Sequence, residues 1–141
     1  MTVQDSPKDW VKSHIDKYVE TGGEEGHEWQ PGVYTLLLTT TGRKSGEQRR
    51  TALIYQPDGD NYAVVASNGG SQGHPTWYLN LLADPNARVQ VGADEFVARA
   101  RTASAEERPR LWALMNEVWP AYNEYQTKTD REIPVVILER V

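Results

Sequence analysis

The chain contains no cysteine. Without a thiol it can form no disulfide, and it lacks a thiolate nucleophile and the ligands of cysteine-bound zinc or iron–sulfur centres. This absence fits a reducing compartment. Long apolar runs are missing as well, since no stretch approaches the roughly 20 residues that cross a bilayer. The N-terminus has no basic start followed by an apolar run, so we expect no secretory signal and a cytoplasmic protein.

The catalytic patterns that a sequence can display are also scarce. The three histidines, His14, His27 and His74, share no ligand spacing, and we therefore predict no metal site. No Gly-x-Ser-x-Gly elbow is present, which argues against a serine nucleophile. A chain with so little acid–base equipment favours an enzyme in which a cofactor supplies the chemistry.

Tryptophan and tyrosine are what the chain has in excess. It contains five Trp and seven Tyr but one Phe. Both side chains combine a flat apolar surface with a hydrogen-bonding tip, which suits a pocket for a flat polar ring. Ordinary packing in the core and at its rim remains the alternative for most of them.

We expect residues 1–141 to form a single domain, with an N-terminal helix over about 7–20 and a barrel over about 33–141. Ser6 and Pro7 indicate the helix start, and Gly22-Gly23 ends it. Its apolar stripe is expected to dock on the protein's own core, although a membrane or a partner could also cover it.

The rest of the chain favours strands joined as hairpins. Residues 24–32 are predicted to be a loop, and a short connection is predicted around Tyr122 and Tyr125. Strands are predicted over 34–40, 51–56, 62–67, 88–92, 95–101 and 133–138, and further helices over 75–83 and from a capping box at 104–107 to about 118. The pattern predicts an α+β protein, an antiparallel barrel of about six strands flanked by helices, because regular βαβ alternation is absent.

The turn between the first two predicted barrel strands is strongly basic. Between Gly42 and Arg50 it carries four cations (Arg43, Lys44, Arg49 and Arg50) and one acid, although the whole chain has a net charge of −5. A nucleotide-binding P-loop is excluded because the lysine follows an arginine and the next element is a strand. The turn can be a cradle for a phosphate or carboxylate ligand or a solvated hairpin tip.

A second loop of interest, Ser67-Asn68-Gly69-Gly70, follows the third predicted strand. Its glycines allow the backbone to approach a ligand closely. The helix that opens near Pro75 adds free N–H donors. A mobile connection is the alternative.

Three sequence blocks together resemble the deazaflavin-dependent nitroreductase family, also described as F420H2-dependent quinone reductases. They are Leu-Leu-Leu-Thr-Thr-Thr-Gly-Arg-Lys-Ser-Gly-Glu-Gln-Arg with the later Ser-Asn-Gly-Gly, Pro-Thr-Trp-Tyr-Leu-Asn-Leu-Leu-Ala-Asp-Pro, and Trp-Pro-Ala-Tyr-Asn-Glu-Tyr-Gln followed by Thr-Asp-Arg-Glu-Ile-Pro. The resemblance spans roughly residue 26 to the end. It implies a split β-barrel related to small FMN-binding proteins, and an oxidoreductase that takes hydride from reduced coenzyme F420.

The resemblance assigns the basic turn to the cofactor's phosphate and glutamate tail, and three backbone segments to its ring. Within these segments, Trp77 would form an aromatic wall, and Asn80 would either bond the cofactor or fix the helix. The implied cofactor-binding residues are Arg43, Lys44, Ser45, Arg49, Arg50, Thr51, Ala52, Val65, Ala66, Ser67, Asn68, Thr76, Trp77, Tyr78, Leu79 and Asn80.

The same resemblance places Ser67, Trp119, Tyr122 and Tyr125 around the hydride acceptor, with Ser67 and the tyrosines as catalytic residues. A tyrosine with an ordinary pKa of about 10 is protonated at neutral pH and can donate a proton. Trp119 replaces a tyrosine of the nitroimidazole-reducing member, and Ala52 replaces a frequent proline. These departures bear on the choice of acceptor more than on the cofactor.

The sequence therefore predicts hydride transfer from reduced F420 to a quinone, enone or nitro compound. The alternative is a non-catalytic carrier of FMN, haem or lipid on the same fold. Nucleic acid is not expected as a partner because the net charge is −5 and the isoelectric point is near 5.2. A monomer is favoured, and peripheral membrane contact through the N-terminal helix stays open.

Overall fold

The structure is a computed structural model that describes residues 3–5 and 9–141. These residues contain four α-helices and nine strands. The helices are α1 (Asp9–Glu20), α2 (Thr76–Ala83), α3 (Arg108–Val118) and α4 (Ala121–Thr127). The strands are β1 (Val3–Asp5), β2 (Glu28–Gln30), β3 (Val33–Thr41), β4 (Gln48–Ile54), β5 (Gln56–Asp58), β6 (Asn61–Val65), β7 (Asn86–Val91), β8 (Asp94–Thr102) and β9 (Val135–Arg140).

The strands form one curled sheet in the order β1-β4-β3-β7-β8-β9-β6-β5, and β2 pairs separately with β3. The pairing is antiparallel except that β1 lies parallel to β4. The curl brings β4 close to β6, although these two strands are not hydrogen-bonded neighbours. The sheet is therefore a half-barrel with a split between β4 and β6.

The barrel interior is the main hydrophobic core. Alternate residues of each strand point inward because the side chains of a strand have a period of two. Leu36 and Leu38 of β3 are completely buried there, as are Val64 of β6 and Ala98 of β8. Helix α2 closes one end with Tyr78 and Leu81.

Two helical layers cover the outside of the half-barrel. Helix α1 packs Val11, Ile15 and Tyr18 against Leu37 of β3. Helices α3 and α4 pack Leu111, Met115 and Tyr122 against the outward faces of β6 and β9. Three residues of the apolar stripe of α1 are thus buried on the protein's own sheet, as the sequence predicted, whereas Val19 is 44% exposed. Among the described helices, none is both long and apolar enough to span a membrane.

All six predicted strands are present, and the α+β split-barrel class is confirmed. The expected loop over 24–32 is wrong in part, because it contains β2, three exposed residues too few to show alternation. The predicted short connection around Tyr122 and Tyr125 is also wrong, because both residues lie on α4. The expected cap at Ser6 and Pro7 lies outside the described residues. The capping box is confirmed by two reciprocal hydrogen bonds between Ser104 and Glu107.

Candidate active site

A cleft opens where the half-barrel is split. It holds about 770 Å³ of space that is continuous with solvent. Its floor comes from β4 and β6, one wall from the α1–β2 side and the other from α4 and Trp119, the residue that follows α3. The lining residues are His14, Trp29, Thr35, Ala52, Leu53, Ile54, Val65, Ser67, Gly69, Trp119, Tyr122 and Tyr125. None of these side chains is an acid, a lysine or an arginine, so the described lining suits a flat, uncharged ring.

The floor presents backbone hydrogen-bonding groups that are directed away from the neighbouring strands β3 and β9. Tyr55 donates its backbone N–H to the carbonyl of Tyr34 at 3.1 Å. In an antiparallel ladder the pairing alternates along the strand, so the peptide groups of Ala52 and Ile54 are directed away from β3. The bond from the Ala66 N–H to the Pro134 carbonyl, 2.9 Å long, likewise directs the peptide of Val65 away from β9.

Two strand edges with directed N–H and C=O groups therefore face the split. Ala52, Ile54 and Val65 all line the cleft. Each peptide group at such an edge offers one donor and one acceptor. This arrangement can hold the polar edge of a flat heterocycle between β4 and β6.

Tyr122 and Tyr125 line the wall that α4 provides. Tyr122 is 5% exposed, and burial, with a smaller effect of Tyr125, raises the pKa of Tyr122 above its ordinary value. Tyr125 is half-buried, and its hydroxyl oxygen lies 3.5 Å from the indole nitrogen of Trp119. Because an indole N–H can only donate, it occupies a lone pair of the phenol and leaves the phenolic proton for another acceptor.

His14 and Thr35 line the wall on the α1 side. The hydroxyl of Thr35 donates to the Gly26 carbonyl at 2.8 Å, and the Nε2 atom of His14 lies 3.0 Å from the same hydroxyl oxygen. Because the hydroxyl has a single proton, His14 must donate from Nε2, which leaves its Nδ1 as an acceptor. Burial lowers the pKa of His14 below its ordinary value, so the ring is neutral at pH 7.

Arg131 anchors the glycine loop at the edge of the cleft. Pro134 has no N–H, and it cannot complete the ladder with the Ala66 carbonyl. A guanidinium N–H of Arg131 reaches that carbonyl at 3.3 Å, and another reaches the Ser67 carbonyl at 2.8 Å. The same side chain donates to the Ser71 carbonyl at 3.0 Å and meets Nδ1 of His74 at 3.1 Å. Arg131 thereby holds both ends of the loop that carries Ser67.

The basic turn is fastened to α2. The amide oxygen of Asn80 accepts the backbone N–H of Arg43 at 3.1 Å, and its nitrogen donates to the hydroxyl of Thr40 at 3.1 Å. Asn80 is 1% exposed. Of its two predicted roles, this placement favours holding the turn against the helix over bonding a ligand directly.

Two of the four cations, Arg49 and Arg50, lie on opposite faces of the sheet. Arg49 lies opposite Thr40, on the α2 side of β4, and pairs with Glu47 at 3.2 Å. Arg50 lies opposite Thr39, on the α1 side, because neighbouring strand residues point to opposite faces. Arg49 and Arg50 are therefore directed to opposite faces of β4 although they are neighbours in the chain. The side chains of Arg43 and Lys44 are exposed.

The structure brings part of the predicted site together. The predicted residues in the cleft are Ala52, Val65, Ser67, Trp119, Tyr122 and Tyr125. The others lie outside its lining. Ala66 points into the barrel core. Tyr78 is buried, and its hydroxyl lies 2.8 Å from that of Thr102. Trp77 packs beside the core and contacts Tyr78 edge-on.

Sequence reasoning missed the wall opposite α4. His14, Trp29 and Thr35 all line the cleft, although none of them belongs to a motif. Arg131 was also missed as the anchor of the glycine loop. Its position in the polar stretch Thr-Asp-Arg-Glu, four residues before β9 begins at Val135, carried no signal that a sequence alone could interpret.

Comparison with known proteins agrees with this architecture. A chain from a solved structure titled F420-H2 dependent reductase has 47% sequence identity and a TM-score of 0.69, and covers 74% of this chain and 93% of its own. A second, described as a domain-swapped dimer, has 43% identity and a TM-score of 0.73 over 95% and 100% of the two chains. The haem storage protein HutZ of Vibrio cholerae, at 14% identity and a TM-score of 0.60, shares the fold.

Sequence relatives lead to the same family. An F420H(2)-dependent quinone reductase of Mycobacterium tuberculosis is 40% identical over 133 residues, which cover 92% of this chain and 89% of that protein. The sequence model of the F420H(2)-dependent quinone reductases matches residues 10–140. This chain belongs to the F420H(2)-dependent quinone reductase family, a family of oxidoreductases whose reductant is reduced coenzyme F420.

Proposed function

We propose that the protein reduces a quinone with hydride from reduced coenzyme F420, and that the reaction takes place in the split between β4 and β6. The observation that carries the proposal is the pair of strand edges at Ala52, Ile54 and Val65, which offer backbone donors and acceptors inside an uncharged cleft. A deazaflavin ring has a polar edge that such groups match. Family membership supports the choice of quinone over enone or nitro compound.

The basic turn fits the other half of the same cofactor. β4 runs from the turn to the cleft floor, and a strand rises about 3.3 Å per residue. Arg49 and Ala52 are thus separated by about 10 Å along the strand, a span that suits a ring linked to a phosphate. Lys44 and Arg49 would bind the phosphate and the glutamate tail, and Arg43 and Ser45 would add donors from the turn.

The chain's own contribution to the reaction is position and proton supply. Bound F420 supplies the hydride. A quinone that accepts a hydride, which is one proton with two electrons, becomes a hydroquinone monoanion, and its negatively charged oxygen needs one more proton. The hydroxyl of Tyr125 can donate that proton, because the indole of Trp119 occupies one of its lone pairs rather than its hydrogen. Tyr122 and Ser67 offer further hydroxyls on the same cleft.

The test is a turnover assay with the purified protein. Reduced F420 is mixed with catalytic amounts of protein and a panel of a naphthoquinone, a cyclic enone and a nitroimidazole, and oxidation of the deazaflavin is followed by absorbance. We expect the naphthoquinone to be reduced fastest. No oxidation with any acceptor would contradict the proposal, and a flavin or haem spectrum in the purified protein would favour a carrier instead.

A further inference from the structure

Trp29 enters the cleft because of an irregularity in the sheet. It is the middle residue of β2, and the register of β2 against β3 shifts between Glu28 and Gln30. Such bulges change the direction in which a side chain points and occur frequently beside active sites. Here the bulged residue is a tryptophan that lines the cleft and is 36% exposed. A side chain of this size on a three-residue strand is not explained by burial in the core.

Trp29 meets Trp119 across the cleft. The two ring centroids are 5.4 Å apart and the planes are inclined by 40°. Trp119 belongs to the layer formed by α3 and α4, whereas Trp29 belongs to the opposite wall. Two indoles from opposite walls of the cleft thus come together and form one apolar surface beside the floor.

We propose that Trp29 is a specificity-determining residue that contacts the part of the acceptor farthest from the reacting carbonyl. This inference rests on the proposed function. A single-ring quinone bound beside the cofactor ring ends inside the cleft, whereas a fused ring or an alkyl substituent extends to the indoles. Stacking on an indole and burial of apolar area then favour the larger acceptor.

The rival explanation is that Trp29 merely holds the β2–β3 hairpin in place. Tyr34 provides a control that distinguishes these two explanations. It lies opposite Glu28 in the same hairpin and is 39% exposed, but it is not part of the cleft lining. Its ring contacts that of His27, with the ring centroids 5.0 Å apart and the planes tilted by 51°. Tyr34→Ala removes an exposed aromatic ring from the hairpin and leaves the cleft unchanged, which makes it the matched control for Trp29→Ala.

The experiment measures kcat/KM with reduced F420 and two acceptors, benzoquinone and 2-methyl-1,4-naphthoquinone. We expect Trp29→Ala to lower kcat/KM for the naphthoquinone about tenfold, which corresponds to about 1.4 kcal/mol of stacking. For benzoquinone, the kcat/KM of the variant should stay within about twofold of that of the unmodified protein. Trp29→Phe should recover much of the loss. Tyr34→Ala should keep the original ratio between the two acceptors.

The role of Trp29 would be overturned if Trp29→Ala lowered kcat/KM equally with both quinones or left it unchanged. It would also be overturned if Tyr34→Ala changed the ratio between the two quinones as much as Trp29→Ala does. If the unmodified protein oxidises reduced F420 with neither quinone, the proposed function fails, and calorimetry with the naphthoquinone and cofactor-free protein decides the inference. Weaker binding to Trp29→Ala than to Tyr34→Ala then supports the contact, and equal binding refutes it.

Discussion

The indole nitrogen of Trp119 lies 3.5 Å from the hydroxyl oxygen of Tyr125. Trp119 directly follows α3, and Tyr125 lies on α4, so the short connection through Pro120 sets the distance between them. Since the indole can only donate, this contact directs the phenolic proton of Tyr125 away from Trp119. A residue of the helix connection thereby orients the group that we expect to protonate the acceptor.

Replacing Tyr125 by Phe should lower kcat by at least about tenfold, because proton donation by a positioned side chain typically contributes 10²–10⁴-fold and Tyr122 can substitute in part. The affinity for F420 should change little. Steady-state kinetics and calorimetry on the same preparation measure both quantities. Full turnover of this variant with several quinones would show that the hydroxyl is not the proton donor.

The division of the basic turn between two faces gives a comparison of adjacent arginines. Arg49→Ala should raise the Kd for F420 by about tenfold at low ionic strength, because it removes a charge-assisted contact to the tail. Arg50→Ala removes the same charge one residue away on the opposite face and should have a smaller effect. Lys44→Ala should resemble Arg49→Ala.

The difference in Kd between Arg49→Ala and the unmodified protein should shrink as salt is added, since salt screens the attraction between solvent-exposed charges. Calorimetric titration at two ionic strengths measures this. Equal effects of Arg49→Ala and Arg50→Ala would mean that their position on the sheet does not determine their role.

The anchor at Arg131 predicts a combined loss of stability and of substrate affinity. Arg131→Ala should lower the free energy of unfolding by about 2–3 kcal/mol, because several backbone carbonyls lose a charged donor. It should also raise KM for the quinone, because the loop that carries Ser67 loses its attachment.

Urea unfolding and steady-state kinetics check both effects of Arg131→Ala. Arg110→Ala is the control, since Arg110 pairs with Asp58 on the exposed surface at 2.9 Å and such pairs contribute at most about 1 kcal/mol. An Arg131→Ala protein as stable as the control would disprove the anchoring role.

The three histidines predict how stability depends on pH. Burial lowers the pKa of His14, His27 and His74 in the folded protein, whereas histidines of the unfolded chain titrate near about 6.5. Below that pH the unfolded state binds more protons, so the free energy of unfolding should fall as the pH decreases from about 6.5 towards 5.

Above pH 6.5 the three rings are neutral in both states and should contribute no slope. Urea unfolding at pH 7.5, 6.5 and 5.5 tests this expectation. His27→Gln should show a shallower slope than the unmodified protein. A protein that is most stable at pH 5.5 would contradict it.

Local sequence patterns predicted most of the strands, turns and helix starts, because these elements depend on residues that are close together in the chain. Alternating or continuous apolar residues produced β3 and β6, and Gly46 adopts a positive φ of 75° in the basic turn between β3 and β4. Pro75 opens α2, and the capping box of Ser104 precedes α3. Each of these features is fixed by neighbours in the chain.

The wall of the cleft could not be predicted in the same way. His14 reaches it because α1 packs on the outside of β3, and Trp29 reaches it because the pairing of a three-residue strand with β3 is irregular. The role of Arg131 depends on the missing N–H of Pro134, which matters only once β9 is paired with β6. Such tertiary causes leave no periodic pattern in the sequence.

Calorimetric titration of F420 into the purified protein tests the central claim most directly, because the basic turn and the two strand edges were assigned to that molecule. The account predicts saturable one-to-one binding that Lys44→Ala and Arg49→Ala weaken. Absence of any binding of F420, with tight binding of FMN instead, would contradict it.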